Sequence, residues 1–162
     1  MADEEARTVA HMGEPAPEGE EALHDRGAFA LWYLRLRLEQ ELDRSQRAPH
    51  SFSLVLLAPN PRPGHRVSDT ALAAAVAAVK ASTRRSDLVG WFDKWTFAVL
   101  IFDGDEEGAR QAALRWKNQI WLKTMHLGAV RWEASVVVDA SQYASANEVF
   151  DAAREGLPLL LR

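Results

Sequence analysis

The 162 residues include 48% apolar side chains, carry a formal charge of −4 and contain no cysteine. One domain with a sizeable core fits that length, whereas disulfides, thiolate zinc sites and a cysteine nucleophile are excluded. The charge is lopsided: residues 1–22 hold seven acids against Arg7, which leaves the remainder nearly neutral and without the basic face that duplex DNA or RNA requires.

Residues 1–22 mix Glu, Ala, Pro and Gly without periodicity, and are expected to form a disordered acidic tail ahead of one domain over 23–162. No stretch approaches the roughly 20 apolar residues of a membrane span, and the acidic start does not read as a signal peptide. A cytoplasmic protein without membrane insertion is expected. From Asp25, read as an N-cap, to about Arg47, the spacing of Phe29, Trp32, Tyr33, Leu36 and Leu42 predicts one buried helical face. Ser51–Leu57 reads as a buried strand, ended by the proline-rich run Pro59 to Gly64. Ser68 or Asp69 then caps an Ala-rich helix to about Thr83, with Leu72, Ala75, Val76 and Val79 inward.

Two strands come next, near Leu88–Phe92 and Trp95–Phe102, separated only by Asp93-Lys94, the length of a tight hairpin turn. A helix from Asp105 to about Met125 turns Ala109, Ala112, Ala113, Trp116 and Ile120 to one side. The acids Asp103, Asp105, Glu106 and Glu107 suit a loop and a helix N-terminus, where the dipole favours them, better than a cation site. Ala129–Val138 is a strand. A last helix runs to about Arg154 behind a capping box of Ser145 and Glu148, and Leu157–Leu161 reads as a short closing strand. A hairpin inserted into an alternating pattern predicts an α/β (α+β) fold with a mixed central sheet of about five strands flanked by helices.

The order and motifs of these elements resemble the GGDEF domain, the diguanylate cyclase fold. Asp25-Arg26-Gly27-Ala28-Phe29 is similar to the family's N-R-R-x-F segment, and Gly64-His65-Arg66-Val67-Ser68-Asp69-Thr70-Ala71-Leu72 to its G-H-x-x-G-D-x-x-L. Asp93-Lys94-Trp95-Thr96-Phe97 stands at the signature turn, and Phe97-Ala98-Val99-Leu100 is similar to the strand that the family places after it. Leu114-Arg115-Trp116-Lys117 resembles the A-E-R-I-R helix. The resemblance covers roughly residues 22–155.

It also implies what is missing. Family cyclases hold magnesium on a carboxylate at the end of the first strand and another at the third signature position, which match Ala58 and Trp95 here. The signature glycines that admit nucleotide match Asp93 and Lys94. Only five residues separate Ala58 from Gly64, too few for the family's base-reading loop, and three of them are prolines. No cyclase activity, metal or cofactor is therefore expected.

A second family site, R-x-x-D, binds the product cyclic di-GMP. Arg84-Arg85-Ser86-Asp87 matches it, and Arg115 stands where the family supplies a further arginine. Guanidinium forks suit guanine O6 and N7 and phosphate oxygens, while the Asp87 carboxylate suits the guanine N1–H and amine. Trp91 and Trp116 are candidates for stacking on a base. The plainer reading is that basic residues close a helix, where the dipole favours them, and that Arg84 pairs with Asp87 across a turn. Trp32 and Trp132 read as core. The alternative function is a nucleotide-independent interaction or dimerisation module, docking a protein partner through Trp91, Trp95 and Trp116 and the first helix.

Overall fold

The computed structural model describes residues 24–128 and 130–162; the acidic stretch expected to be a disordered tail lies outside the described residues. Six strands, β1 (His24–Asp25), β2 (Ala28–Phe29), β3 (Phe52–Asn60), β4 (Leu88–Trp91), β5 (Phe97–Phe102) and β6 (Arg131–Val137), form one sheet in the order β1-β2-β4-β5-β3-β6. All pairs are antiparallel except β2 with β4. The helices are α1 (Leu31–Arg47), α2 (Asp69–Lys80), α3 (Glu106–Thr124) and α4 (Ala146–Glu155). The mixed, helix-flanked sheet is the predicted fold, with the two-residue strands β1 and β2 added at one edge.

Strand β3 organises the core because its side chains alternate between faces. Phe52, Leu54, Leu56 and Ala58 pack with α1 and α4, while Val55 and Leu57 pack with α2 and α3. The strand runs on through Pro59, the residue that local propensity makes its end. Past Leu57, the partner of Phe97, β3 is paired only with β6, and one-sided pairing tolerates a proline.

The first helix departs from expectation in two ways. Asp25 is not its N-cap: residues 24–29 make a small hairpin turning at Arg26 (φ 48°) and Gly27 (φ 87°), and Ala30 caps the helix without a side-chain hydrogen bond. The buried face is Leu34, Leu38 and Leu42 with Glu41 and Ser45, whereas Leu36 is 40% exposed and Trp32 only half-buried. Apolar residues occur on both phases of this helix, and the sheet selects one. Gly90 makes the selection possible, because a Cβ there would lie 3.0 Å from the Leu34 Cβ.

The hairpin is not a two-residue turn. The last pair is Trp91 with Phe97, and five residues intervene. The Asp93 Oδ1 accepts from the Trp95 and Thr96 amides (2.8 and 2.7 Å), and the Phe92 and Asp93 amides donate to Thr96 O. An Asx-type turn is thus built from the side chain of Asp93, while Phe92 packs on Phe150 and Thr96 is buried. Nor does the chain end in a strand. Leu159–Leu161 is a single 3₁₀ turn, curled because the Arg162 guanidinium donates to the Leu157 and Glu155 carbonyls.

The other predicted caps are formed. Ser68 accepts from Ala71, Asp105 from Gly108 and Ser145 from Glu148, and the Glu148 carboxylate accepts from the Ala144 amide.

Beneath α1, the buried Glu41 carboxylate is held by His50 Nε2, while His50 Nδ1 lies 2.9 Å from Ala48 O. Both ring nitrogens are thereby placed to donate, and the Ala48 carbonyl first, then Glu41, raise the His50 pKa. A raised folded-state value means that this contribution is complete below the unfolded value of about 6.5 and is lost as pH rises through the folded one. Melting temperature is expected to fall across that window, and His50→Gln to remove the slope; an unchanged slope in His50→Gln would contradict the assignment.

Candidate functional site

The turn between α2 and β4 carries the predicted ligand residues. Its backbone is locked by reciprocal hydrogen bonds: the Asp87 amide donates to Arg84 O (3.0 Å) and the Arg84 amide to Asp87 Oδ2 (3.0 Å). The side-chain pairing of Arg84 with Asp87 that the plainer reading anticipates is absent from the ion pairs among the described residues. The main chain of Arg84 holds the carboxylate, and its guanidinium stays free for another partner.

This turn opens onto a cleft of about 370 Å³, walled by Gly27–Phe29, Lys80, Thr83, Arg84, Arg85, Asp87 and Val89. The walls meet because β2 is hydrogen-bonded beside β4, and because Lys80 Nζ donates to Gly27 O (2.8 Å). Three cationic side chains and one carboxylate share these walls. Asp87 is half-buried, and its Oδ1 is a buried atom with no hydrogen bond. Burial pushes its pKa above the ordinary carboxylate range; the Arg84 amide, the Arg84 charge and the Phe102 amide oppose the shift. Such a desolvated acceptor without a full hydrogen bond costs stability. The cleft offers cations for phosphate or guanine acceptors and a carboxylate for a donor edge.

Arg115 does not line this cleft. It is exposed on α3, one turn before Gln119, whose Oε1 accepts from Ser82 Oγ at the end of α2 (2.7 Å). The fold therefore sets Arg115 on the adjoining helix, near the cleft but outside its walls. Lys80 and Arg85 do line the cleft, a place that their reading as dipole-favoured closing residues conceals. Their clustering with Arg84 within two turns of the chain is a signal that sequence offers, whereas the facing wall, from β1–β2, leaves none.

The tryptophans part company. Trp116 is 1% exposed inside the core, so neither stacking nor partner contact is open to it. Trp91 is 3% exposed; its Nε1 donates to Asp25 O, and the Arg26 guanidinium covers its ring at 4.0 Å. It ties the β1–β2 turn to the sheet and presents no face to a ligand. Trp132 is core, as its place in a strand predicts, and Trp95 is 39% exposed.

Trp95 lines a second cleft of about 450 Å³ with Ala58, Pro59, Pro61, His65, Arg66, Lys94 and the C-terminal turn Leu160–Arg162. Asp93 supplies the one carboxylate side chain among its described walls, and that group is committed to the turn amides. Among the described residues no helix is long and apolar enough to cross a membrane.

Comparison with known proteins gives a consistent answer. The family model for the diguanylate cyclase GGDEF domain matches residues 32–155. Among solved structures, the chain is similar to the diguanylate cyclase SiaD of Pseudomonas aeruginosa, solved with its activator SiaC. The TM-score is 0.73 at 19% identity over 96% of this chain and 62% of that one. It is also similar to the FimX GGDEF domain from P. aeruginosa (0.71, 16%, covering 83% and 90%). A third is the DgcB GGDEF domain of Caulobacter crescentus, solved with c-di-GMP (0.65, 11%, covering 87% and 88%). These likenesses show a shared fold, and the chain spans less than two thirds of SiaD. No curated protein matches the chain by sequence.

Proposed function

The chain belongs to the GGDEF family, and on that premise we propose that it is a non-catalytic receptor for cyclic di-GMP, acting in second-messenger signalling. The carrying observation is the cleft whose walls bring Asp87 together with Lys80, Arg84 and Arg85. The ligand is a dianion with two guanines. Arg84 addresses a guanine or phosphate acceptor edge and Asp87 a guanine donor edge, while Arg115, on α3 outside the cleft walls, is available only to a part of the ligand that projects beyond them. The DgcB domain was solved with the same nucleotide.

The non-catalytic half of the proposal rests on residue identities. Ala58 and Trp95 have no carboxylate to offer a magnesium ion, and Asp93 builds the turn instead of facing a nucleotide. Calorimetric titration of the protein with cyclic di-GMP is expected to show saturable binding, and incubation with GTP and Mg²⁺ to yield no cyclic product. Absence of binding overturns the receptor reading; product formation overturns its non-catalytic half.

A second reading, docking of a protein partner at the hairpin, is favoured by Trp95 and by Leu160, which is 94% exposed at the rim of the same cleft. It predicts that Trp95→Ala abolishes partner capture while cyclic di-GMP leaves it unchanged.

A further inference from the structure

The cations of the ligand cleft lack anionic partners. Lys80 Nζ donates to the Gly27 carbonyl, and none of Lys80, Arg84 and Arg85 takes part in an ion pair among the described residues. Asp87 takes back one charge, and its Oδ2 already accepts from the Arg84 amide. Three cations less one carboxylate leave the walls of this cleft net positive. Such a surface attracts anionic groups, the more so in a concave site.

The chain itself holds one concentrated source of negative charge. Residues 1–22 carry seven acids against Arg7, and three of them, Glu18, Glu20 and Glu21, lie within six residues of β1. Exposed acids of the domain such as Asp43 and Glu106 are instead paired within their own helices. The acidic segment enters the domain through β1, and the β1–β2 hairpin supplies Gly27, Ala28 and Phe29 to the cleft wall. A six-residue link spans about 13 Å root-mean-square, which sets the acids beside the cleft at an effective concentration on the order of millimolar. Single exposed ion pairs contribute little, but a tethered cluster of charges need not be recruited from solution. The second cleft is a poorer match, because its Arg162 guanidinium is committed to main-chain carbonyls and Lys94 lies over the Trp95 ring.

We propose that the acidic segment ahead of β1, centred on Glu18, Glu20 and Glu21, docks on the Lys80, Arg84 and Arg85 wall of its own domain and shields the cleft. Its carboxylates take the places open to the phosphates of a dianionic ligand, so segment and ligand compete for the same guanidinium and ammonium groups. The contact needs no nucleotide, whereas the competition rests on the receptor reading above. A cleft shielded for about 70–90% of the time loses about 3- to 10-fold in apparent affinity.

Amide spectra of the full chain and of its Glu18→Gln/Glu20→Gln/Glu21→Gln variant test the contact, and calorimetry of both with cyclic di-GMP tests the competition. The Arg84–Asp87 amides are expected to differ between the two proteins at low salt. They should coincide at about 0.5 M salt, where the Debye length is about 4 Å, while those of Trp95 and Thr96 agree throughout. The variant is expected to bind cyclic di-GMP about 3- to 10-fold more tightly at low salt, and to lose that advantage at high salt. Coincident spectra at low salt, or differences confined to the second cleft, would overturn the proposal. So would differences that grow with protein concentration, which assign the segment to a second copy. Equal nucleotide binding by both proteins would overturn the shielding. A spectral difference with no nucleotide binding by either protein would uphold the contact and remove the receptor reading instead.

Discussion

Arg84→Ala is expected to weaken cyclic di-GMP binding by between about 5- and 150-fold, the equivalent of the roughly 1–3 kcal/mol of one bidentate guanine contact. The expectation comes from the turn geometry. The Arg84 amide fixes the Asp87 carboxylate, and that hydrogen bond survives the substitution. The variant therefore removes a guanidinium without disturbing the group beside it, which separates lost recognition from lost folding. Arg85→Ala, on the same wall but outside the R-x-x-D pair, should cost less. Equal binding by Arg84→Ala and the parent in equilibrium dialysis would remove this residue from the site.

Acidification supplies a second readout of the same cleft. Burial first, against the amides and charge that oppose it, raises the Asp87 pKa. The guanine donor edge is bound by the ionised form, so affinity should decline as pH falls toward that raised value, above where an ordinary exposed carboxylate would titrate. Stability of the free protein responds with the opposite sign. A carboxylate whose folded pKa is raised destabilises the fold while ionised, and that cost disappears as pH falls through the folded value. Asp87→Asn should abolish the acid-dependent loss of affinity by lowering affinity at neutral pH as well, with little loss of stability.

The largest effect on stability is expected at Trp116. Its side chain is among the largest that are fully buried, packed with α2, β3 and β5 residues in the core on one face of the sheet. Truncation to alanine should cost about 3–5 kcal/mol, the usual range for deleting a buried indole. Set against a total stability of about 5–15 kcal/mol for a domain, that leaves the fold marginal. The indole N–H adds a refinement: Trp116 Nε1 is buried without a hydrogen-bond partner. Trp116→Phe leaves a smaller cavity and also removes an unsatisfied donor, so its loss should be well below that of Trp116→Ala. Urea unfolding measures both, and a loss below about 1 kcal/mol for Trp116→Ala would contradict the burial assigned to it.

The elements legible from sequence are those whose signals are local. The caps at Ser68, Asp105 and Ser145 are read from a side chain and an amide three residues on, and each is present. Strand β3 announces itself by a run of apolar residues that no surface element would carry. The motif R-x-x-D is equally local, and its two ends do meet in one turn.

Where local signals mislead, the cause is physical. Spacing alone suggests a two-residue hairpin turn, but Asp93 recruits the amides of Trp95 and Thr96 and opens the turn to five residues. Apolar content suggests a closing strand at Leu157–Leu161, but Arg162 folds back on the carbonyls before it. In α1 the apolar residues occur on two phases, and nothing within the helix ranks them; Gly90, more than forty positions away, admits Leu34 and so turns the other phase outward.

A mixed α/β fold with an R-x-x-D turn is legible in the order of residues, because periodicity, caps and short motifs act within a few residues of chain. Which tryptophans are surface and which core is settled by packing, because burial depends on the sheet, Gly90 and the β1–β2 hairpin arriving from elsewhere. Packing alone also brings Gly27–Phe29 and Lys80 around Asp87 to make a cleft, since a wall supplied by distant chain has no signature in the local order of residues.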